Sequence, residues 1–198
     1  MPHIAIAILA AGASSRMGQP KQLLEYKGKT LLQHAIDTAL ETSCRPVFVV
    51  VQNLGHLPVE TQAILELRPL VNQESSRGVS SSICLATEQV LAIDTIDALL
   101  FMNADQPQIE SACLQRLVAS YKSGGIVASR FGGTHGSPAI FDRCYFPELM
   151  ALTGDRGAKA IIQRNVASIV EVVMEEAILD IDTPSDYASM NQSKLDSN

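Results

Sequence analysis

Short apolar runs that do not alternate with polar residues recur along this chain, and they constrain its fold more than any other feature. Residues 4–9 (IAIAIL), 46–51 (PVFVVV) and 98–102 (ALLFM) are apolar at successive positions. A strand that is apolar on both faces has to be covered on both faces. Helical patterns lie between the runs. Leu31, Leu32, Ala35, Ile36, Ala39 and Leu40 recur at helical spacing behind Thr30, a residue suited to capping. Residues 80–91, 111–121 and 158–164 read as further helices, and 59–67 as a short one. Residues 69–72, 126–131, 168–173 and 178–181 read as strands, 132–137 as a loop, and Pro184 opens a last helix at its favoured first-turn position. This alternation implies an α/β fold: three-layer, Rossmann-like, a mostly parallel twisted sheet with helices on both faces. A length of 198 residues suits one domain over residues 1–191, followed by a polar tail over 192–198.

Composition narrows the function by exclusion. The formal net charge of −6 argues against a nucleic-acid partner, which requires a basic surface. It leaves room for a nucleotide, because one local cluster of cations can bind a triphosphate. Cys44, Cys84, Cys113 and Cys144 are far apart, without a C-x-x-C pair, so zinc and redox motifs lack support and reduced thiols in a cytoplasmic setting are expected. The apolar stretch over residues 4–11 lacks a cationic leader and is too short to span a membrane, so a buried strand accounts for it and no membrane partner is expected.

Ligands of parallel sheets sit beyond the carboxyl ends of the strands. Three polar clusters follow such ends, at residues 12–21, 72–82 and 103–107. The first reads Leu9-Ala10-Ala11-Gly12-Ala13-Ser14-Ser15-Arg16-Met17-Gly18-Gln19-Pro20-Lys21. Small residues let the backbone approach an anion, and Arg16 and Lys21 place positive charge beside it. It is not a P-loop: Gly12 and Gly18 are six apart and Lys21 trails by three. On composition alone it is equally a plain glycine-containing turn. Asp105, in Asn103-Ala104-Asp105-Gln106-Pro107, is a carboxylate at a strand end, able to hold a divalent cation or simply to cap a turn. Asp182 lies in Asp180-Ile181-Asp182-Thr183-Pro184-Ser185-Asp186, where it or Thr183 could instead cap the next helix. Asn72 and Gly78-Val79-Ser80-Ser81-Ser82 can read a base or ribose, or only start a helix.

The residues at 9–21 resemble the L-A-[AG]-G-x-S-x-R-M-G-x-x-K signature of nucleotidyltransferases of the molybdenum-cofactor type, with every fixed position present. Asp105-Gln106-Pro107 resembles the family's D-x-P metal motif, and residues 180–186 its D-[IV]-D-T-P-x-D segment. The resemblance implies that Leu9, Ala10, Ala11, Gly12, Ser14, Arg16 and Lys21 hold the triphosphate, with Asn72, Gly78, Ser81 and Ser82 at the base and ribose. It implies Arg16, Lys21 and Asp105 as catalytic, and Mg²⁺ on Asp105 and Asp182. Ala10-Ala11-Gly12 with Ser81-Ser82 leans towards CTP over GTP.

Gly132 to Phe141 resembles the family's acceptor-side G-x-x-G-x-P stretch, which points to His135 and Ser137, and Thr153-Gly154-Asp155-Arg156-Gly157-Ala158 adds Asp155. Many pterin-using members carry His or Asn where Ser137 stands, and a lone His such as His135 is more often a solvated loop residue than a catalyst. Asp155 could touch the acceptor or cap a helix there. The implied reaction moves a nucleoside monophosphate to a phosphorylated pterin or other small acceptor, with a molybdoenzyme as a possible partner. A sugar-phosphate nucleotidyltransferase and a non-catalytic cofactor-delivery protein are the alternatives.

Overall fold

A computed structural model of the chain describes residues 2–12, 17–59, 61, 64–178, 181 and 183–192. Seven strands form one sheet: β1 (Ile4–Ala10), β4 (Val47–Val51), β5 (Leu67–Val71), β6 (Ala98–Asn103), β7 (Ile126–Phe131), β8 (Thr134–Asp142) and β9 (Val170–Val173). Their spatial order is β5-β4-β1-β6-β8-β7-β9. The two short strands β2 (Glu25–Tyr26) and β3 (Lys29–Thr30) make a separate hairpin. The helices are α1 (Leu31–Leu40), α2 (Val79–Leu91), α3 (Ser111–Ser120), α4 (Phe146–Met150), α5 (Lys159–Arg164) and α6 (Pro184–Gln192).

The non-alternating strands are buried on both faces, as their composition requires. Ile4, Ile6 and Ile8 of β1 pack with Val49, Leu100 and the apolar stripes of α1 and α3. Ala5 and Ala7 of the same strand face Phe48, Phe101, Phe141 and the stripe of α2, together with Phe146, Leu149 and Ile161 from α4 and α5. Small residues on one face of β1 and isoleucines on the other set how closely each helical layer approaches. Thr30 caps α1 by accepting from Gln33 N at 3.1 Å. No helix of the described residues is long and apolar enough to cross a membrane.

Pairings β5–β4, β4–β1, β1–β6 and β7–β9 are parallel, whereas β8 is antiparallel to both β6 and β7. The chain runs outward from β1 through β4 to β5, then returns to the other side of β1 as β6. The strand order therefore reverses between β1 and β6, where such sheets open a binding crevice.

Three local expectations need correction. Residues 134–137 are strand, not loop: Gly132 and Gly133, at φ of 51° and 74°, make the hairpin tip, and β8 follows at once. Gly136, Ser137 and Pro138 resemble loop residues because the ladder is irregular there: Ser129 pairs with Gly136 but Ala128 with Ala139. A proline without an N–H donor is tolerated at such a bulge. The short helix expected over 59–67 gives way, within its described residues, to i→i+3 bonds such as Ile64 N to Thr61 O (3.1 Å), and Leu67 already belongs to β5. The strand expected over 178–181 is replaced at its start by a 3-10 turn, Glu175–Ile178, and Ile181 is irregular; residues 179 and 180 lie outside the described residues.

At the far end of β8, Asp142 is buried and accepts from Tyr121 Oη (2.6 Å), Gly124 N (2.7 Å) and Cys144 N (3.0 Å). Burial works against its ionised form, but these donors outweigh burial and hold its carboxyl below the usual range. The stabilisation is present above the unfolded pKa and is lost as pH falls through the lower folded value. Asp142→Asn is therefore expected to lower Tm at pH 7, with a deficit that shrinks below about pH 4; a pH series of thermal melts checks this.

Candidate active site

The parallel pairing of β1 with β6 ends at Leu9 opposite Asn103, and Ala104 N continues it by donating to Leu9 O at 3.2 Å. The two strand ends therefore release their loops side by side. Ala11 O accepts from Gln52 Nε2 at 3.1 Å, which fixes the first loop beside β4. The chain returns to the sheet at a 3-10 turn, Lys21–Leu23, closed by bonds from Leu23 N to Pro20 O (3.0 Å) and Leu24 N to Lys21 O (3.1 Å). This turn brings Lys21 Nζ onto Asp105 Oδ2, 84 residues away in sequence, as an ion pair. Asp105 is 8% exposed, and its other oxygen, Oδ1, is buried and has no hydrogen-bond partner among the described residues. A part-buried charge pair is costly to break from one side, because the remaining charge is left without compensation.

Lys21 and Asp105 lie on the wall of a cavity of about 440 Å³ at the carboxyl ends of β1 and β6. That is the size of a small-molecule site. Leu9, Ala10, Ala11 and Gly12 form one side, Asn103 and Ala104 another, and Gly78, Ser82 and Asp155 the third. Four segments separated in sequence thus share one chamber.

The third wall depends on Gly78. Its φ of +93° belongs to the left-handed side of conformational space. A Cβ there would stand 2.5 Å from Asp155 Oδ1 and from Gly154 C and O. The loop 153–157 consequently rests directly on the start of α2, where Ser80 N also donates to Gly154 O at 3.2 Å. Asp155 does not cap the helix that follows: Ala158 occupies the N-cap of α5, with no side-chain cap bond. Its carboxylate instead faces the cavity that also holds Lys21.

Other residues singled out from the sequence occupy different places. Asn72 is buried, and its carboxamide is spent on the protein: Nδ2 donates to Ser81 Oγ (2.8 Å) and Ser82 Oγ (2.9 Å), and Oδ1 accepts from Glu74 N (2.9 Å). Asn72 and Ser81 line a neighbouring groove, while Ser82 reaches the chamber. Ser137 Oγ donates to Phe101 O at 3.2 Å, tying β8 to β6. His135 Nε2 lies 2.6 Å from Glu171 Oε1, and Arg130 Nε lies 3.2 Å from Glu171 Oε2, at the edge formed by β7, β8 and β9. Neither His135 nor Ser137 is among the described residues that line the chamber. Ser14, Arg16 and Asp182 lie outside the described residues. The cap of α6 is Thr183, paired reciprocally with Asp186: Thr183 N donates to Asp186 Oδ2 (2.7 Å) and Asp186 N to Thr183 Oγ1 (3.2 Å).

The chamber also includes residues that pattern reasoning passed over. Gln22, 2% exposed, lines it beside Lys21 and shares a 3.2 Å hydrogen bond with His56 Nδ1. Ser75 and Ser76 line it opposite. The available signals were a polar residue directly after Lys21 and a second serine pair before Arg77-Gly78.

Gly78→Ala is expected to cost about 1–3 kcal/mol of stability, since the new methyl meets backbone and a carboxylate at a strained φ. Gly12→Ala is expected to leave Tm nearly unchanged, because a Cβ there meets nothing within 4 Å. Thermal melts of the two variants check this contrast.

Comparison with known proteins agrees with this arrangement. Residues 6–169 match the model of the MobA-like NTP transferase domain. The chain is 27% identical over 193 residues to the molybdenum cofactor cytidylyltransferase of Escherichia coli K12, covering 97% of each chain. It is 30% identical over 195 residues to nicotine blue oxidoreductase of Paenarthrobacter nicotinovorans, covering 92% of this chain and 94% of that one. The crystal structure of Rv0371c from Mycobacterium tuberculosis in complex with manganese superposes with a TM-score of 0.78 at 25% identity, covering 96% of this chain and 99% of that one. With a family match across most of its length, a shared fold and a chamber at the strand reversal, this chain belongs to the MobA-like NTP transferase family and is a nucleotidyltransferase.

Proposed function

We propose that the chain transfers CMP from CTP to a phosphorylated acceptor of the molybdopterin class, releasing pyrophosphate in a Mg²⁺-dependent reaction. The observation that carries the reading is the Lys21–Asp105 pair on the wall of one nucleotide-sized chamber. The Escherichia coli relative's name supports cytidylyl transfer to a molybdenum cofactor, and Ala10-Ala11-Gly12 with Ser81-Ser82 supports CTP over GTP.

In this reading an acceptor phosphate oxygen attacks the α-phosphorus in line. The bond to the bridging oxygen breaks, and pyrophosphate leaves with the electron pair. The protein's contribution is positioning and charge neutralisation. The backbone of Leu9 to Gly12 cradles the phosphates. Lys21, with Arg16 and Ser14 of the same loop, balances charge as pyrophosphate departs. Gly78 and Ser82 bound the ribose and base, while Asn72 holds the two serine hydroxyls in place. In this reading Asp155, on the chamber wall, meets the acceptor, and Ser137 and His135 of β8, which are not among the described residues that line the chamber, are the further acceptor-side residues.

Asp105 would hold Mg²⁺, helped by Asp182, and the ion would supply charge compensation at the phosphates. The buried, unpartnered Oδ1 of Asp105 suits a cation, and so does the preference of Mg²⁺ for one or two carboxylates plus substrate phosphates. That Rv0371c, which shares this fold, was crystallised as a manganese complex supports use of a divalent ion. Ile181 N donates to Asp105 O at 3.2 Å, which brings the neighbour of Asp182 to the same loop. The reading places the protein in the cytoplasm, where a molybdoenzyme could receive its product.

Asp105→Ala is expected to abolish pyrophosphate release while the protein stays folded. Lys21→Ala is expected to cost about 2–4 kcal/mol of transition-state stabilisation. A screen of the four nucleoside triphosphates with Mg²⁺ against molybdopterin and sugar-phosphate acceptors tests the substrate. Release with CTP and molybdopterin supports the proposal. Release only with a sugar phosphate, or CTP binding without release, contradicts it in favour of a sugar-phosphate enzyme or a cofactor-delivery protein.

A further inference from the structure

The loop after β6 carries a second buried polar side chain directly beside Asp105. Gln106 is 4% exposed, and its Nε2 donates to Ser137 O at 3.3 Å and to Ala177 O at 3.2 Å. Both partners are carbonyl oxygens, so the facing atom has to be the amide's donor. One NH₂ group therefore joins three segments: the Asp105 loop, the start of β8, and the turn Glu175–Ile178. Four residues after Ala177, Ile181 N donates to the backbone oxygen of Asp105 at 3.2 Å. Two adjacent residues, Asp105 and Gln106, thus bind the returning chain at residues 177 and 181.

We propose that Gln106 is a positioning residue that fixes the Asp105 loop against β8 and the returning chain at residues 177 and 181, and thereby sets the affinity for the divalent cation rather than for the nucleotide. The inference rests on the reading that Asp105 holds that cation. The bond from Ile109 N to Gln106 O (3.1 Å) shapes the loop itself. The carboxamide reaches β8 and the returning chain through the two bonds of its Nε2, while its Oε1 is buried and without a partner among the described residues. A purely structural role would lower stability and nucleotide binding together. A positioning role weakens cation binding selectively.

The test uses the intact protein, with Mn²⁺ as the probe read by water-proton relaxation at saturating CTP. Gln106→Met keeps the volume and gives up both bonds. Gln106→Asn keeps the amide but shortens its reach, and serves if the Met variant does not fold. The expected result is a rise of about tenfold or more in the half-saturating Mn²⁺ concentration, the usual effect of removing a residue that orients a metal ligand. CTP affinity measured without metal is expected to stay within twofold of wild type. An unchanged Mn²⁺ titration in a folded variant overturns the proposal. So does a loss of metal-free CTP binding in step with a fall in Tm. Asp105→Asn separates the two levels: if it takes up Mn²⁺ like wild type, the metal reading itself is wrong. If it loses Mn²⁺ while the Gln106 variants do not, only the positioning role fails.

Discussion

Everything at the site depends on the parallel pairing of β1 with β6. Ile4 opposite Ala98 through Leu9 opposite Asn103 is a continuous register, extended one step by the bond from Ala104 N to Leu9 O. Its strands meet where the strand order reverses, so the loops leaving them have open space above the sheet and no crossover helix between them. A cation from one loop and a carboxylate from the other can then share a chamber although 84 residues separate them. The buried faces of β1 secure this register, because a one-residue slip would exchange its isoleucine and alanine faces against the two helical layers.

The remaining walls are built by contacts that stack on this pairing. α2 begins at Gly78 because no side chain fits between its backbone and the loop 153–157. Asn72, at the end of β5, gathers Ser81, Ser82 and Glu74 N around one carboxamide. These are interactions within the protein, and their effect on a ligand is indirect: they hold a helix start and a carboxylate at fixed places around a chamber. Family members that share this scaffold carry names as different as a cytidylyltransferase and an oxidoreductase. The scaffold therefore identifies the family, and the acceptor has to be read from the chamber walls.

Much of this was legible in the sequence, for identifiable reasons. The non-alternating apolar runs specified a doubly covered sheet, and Thr30 before a helical stripe marked the start of α1. Leu9 to Gly12, Lys21 and Asp105 follow strand ends, where composition alone left a plain turn or cap equally open, and it was their resemblance to the family's motifs that singled them out; all of them line the chamber. Other features depended on tertiary context. β8 was read as loop over 134–137 because Gly136, Ser137 and Pro138 carry no strand pattern; pairing of residues 134–136 with β7 and the irregularity between Gly136 and Ala139 override their propensities. The hairpin of β2 and β3 turns on Lys27 and Gly28, both at positive φ, in strands of two residues each, too short for any periodicity. Asn72 was legible as a polar residue near the site, but the inward direction of its amide was not. Gln22 was marked only by its place directly after Lys21, and Gln106 is a buried amide whose partners lie on other elements, which no local pattern could reveal.

The central claim is that Lys21 and Asp105 face one bound triphosphate–metal complex. A crystal structure with Mn²⁺ and a non-hydrolysable CTP analogue tests it most directly. The account predicts an anomalous manganese peak within coordination distance of Asp105, about 2.0–2.3 Å, with the phosphates inside the chamber and in reach of Lys21. Manganese bound away from Asp105, or a triphosphate seated outside the chamber, would contradict it.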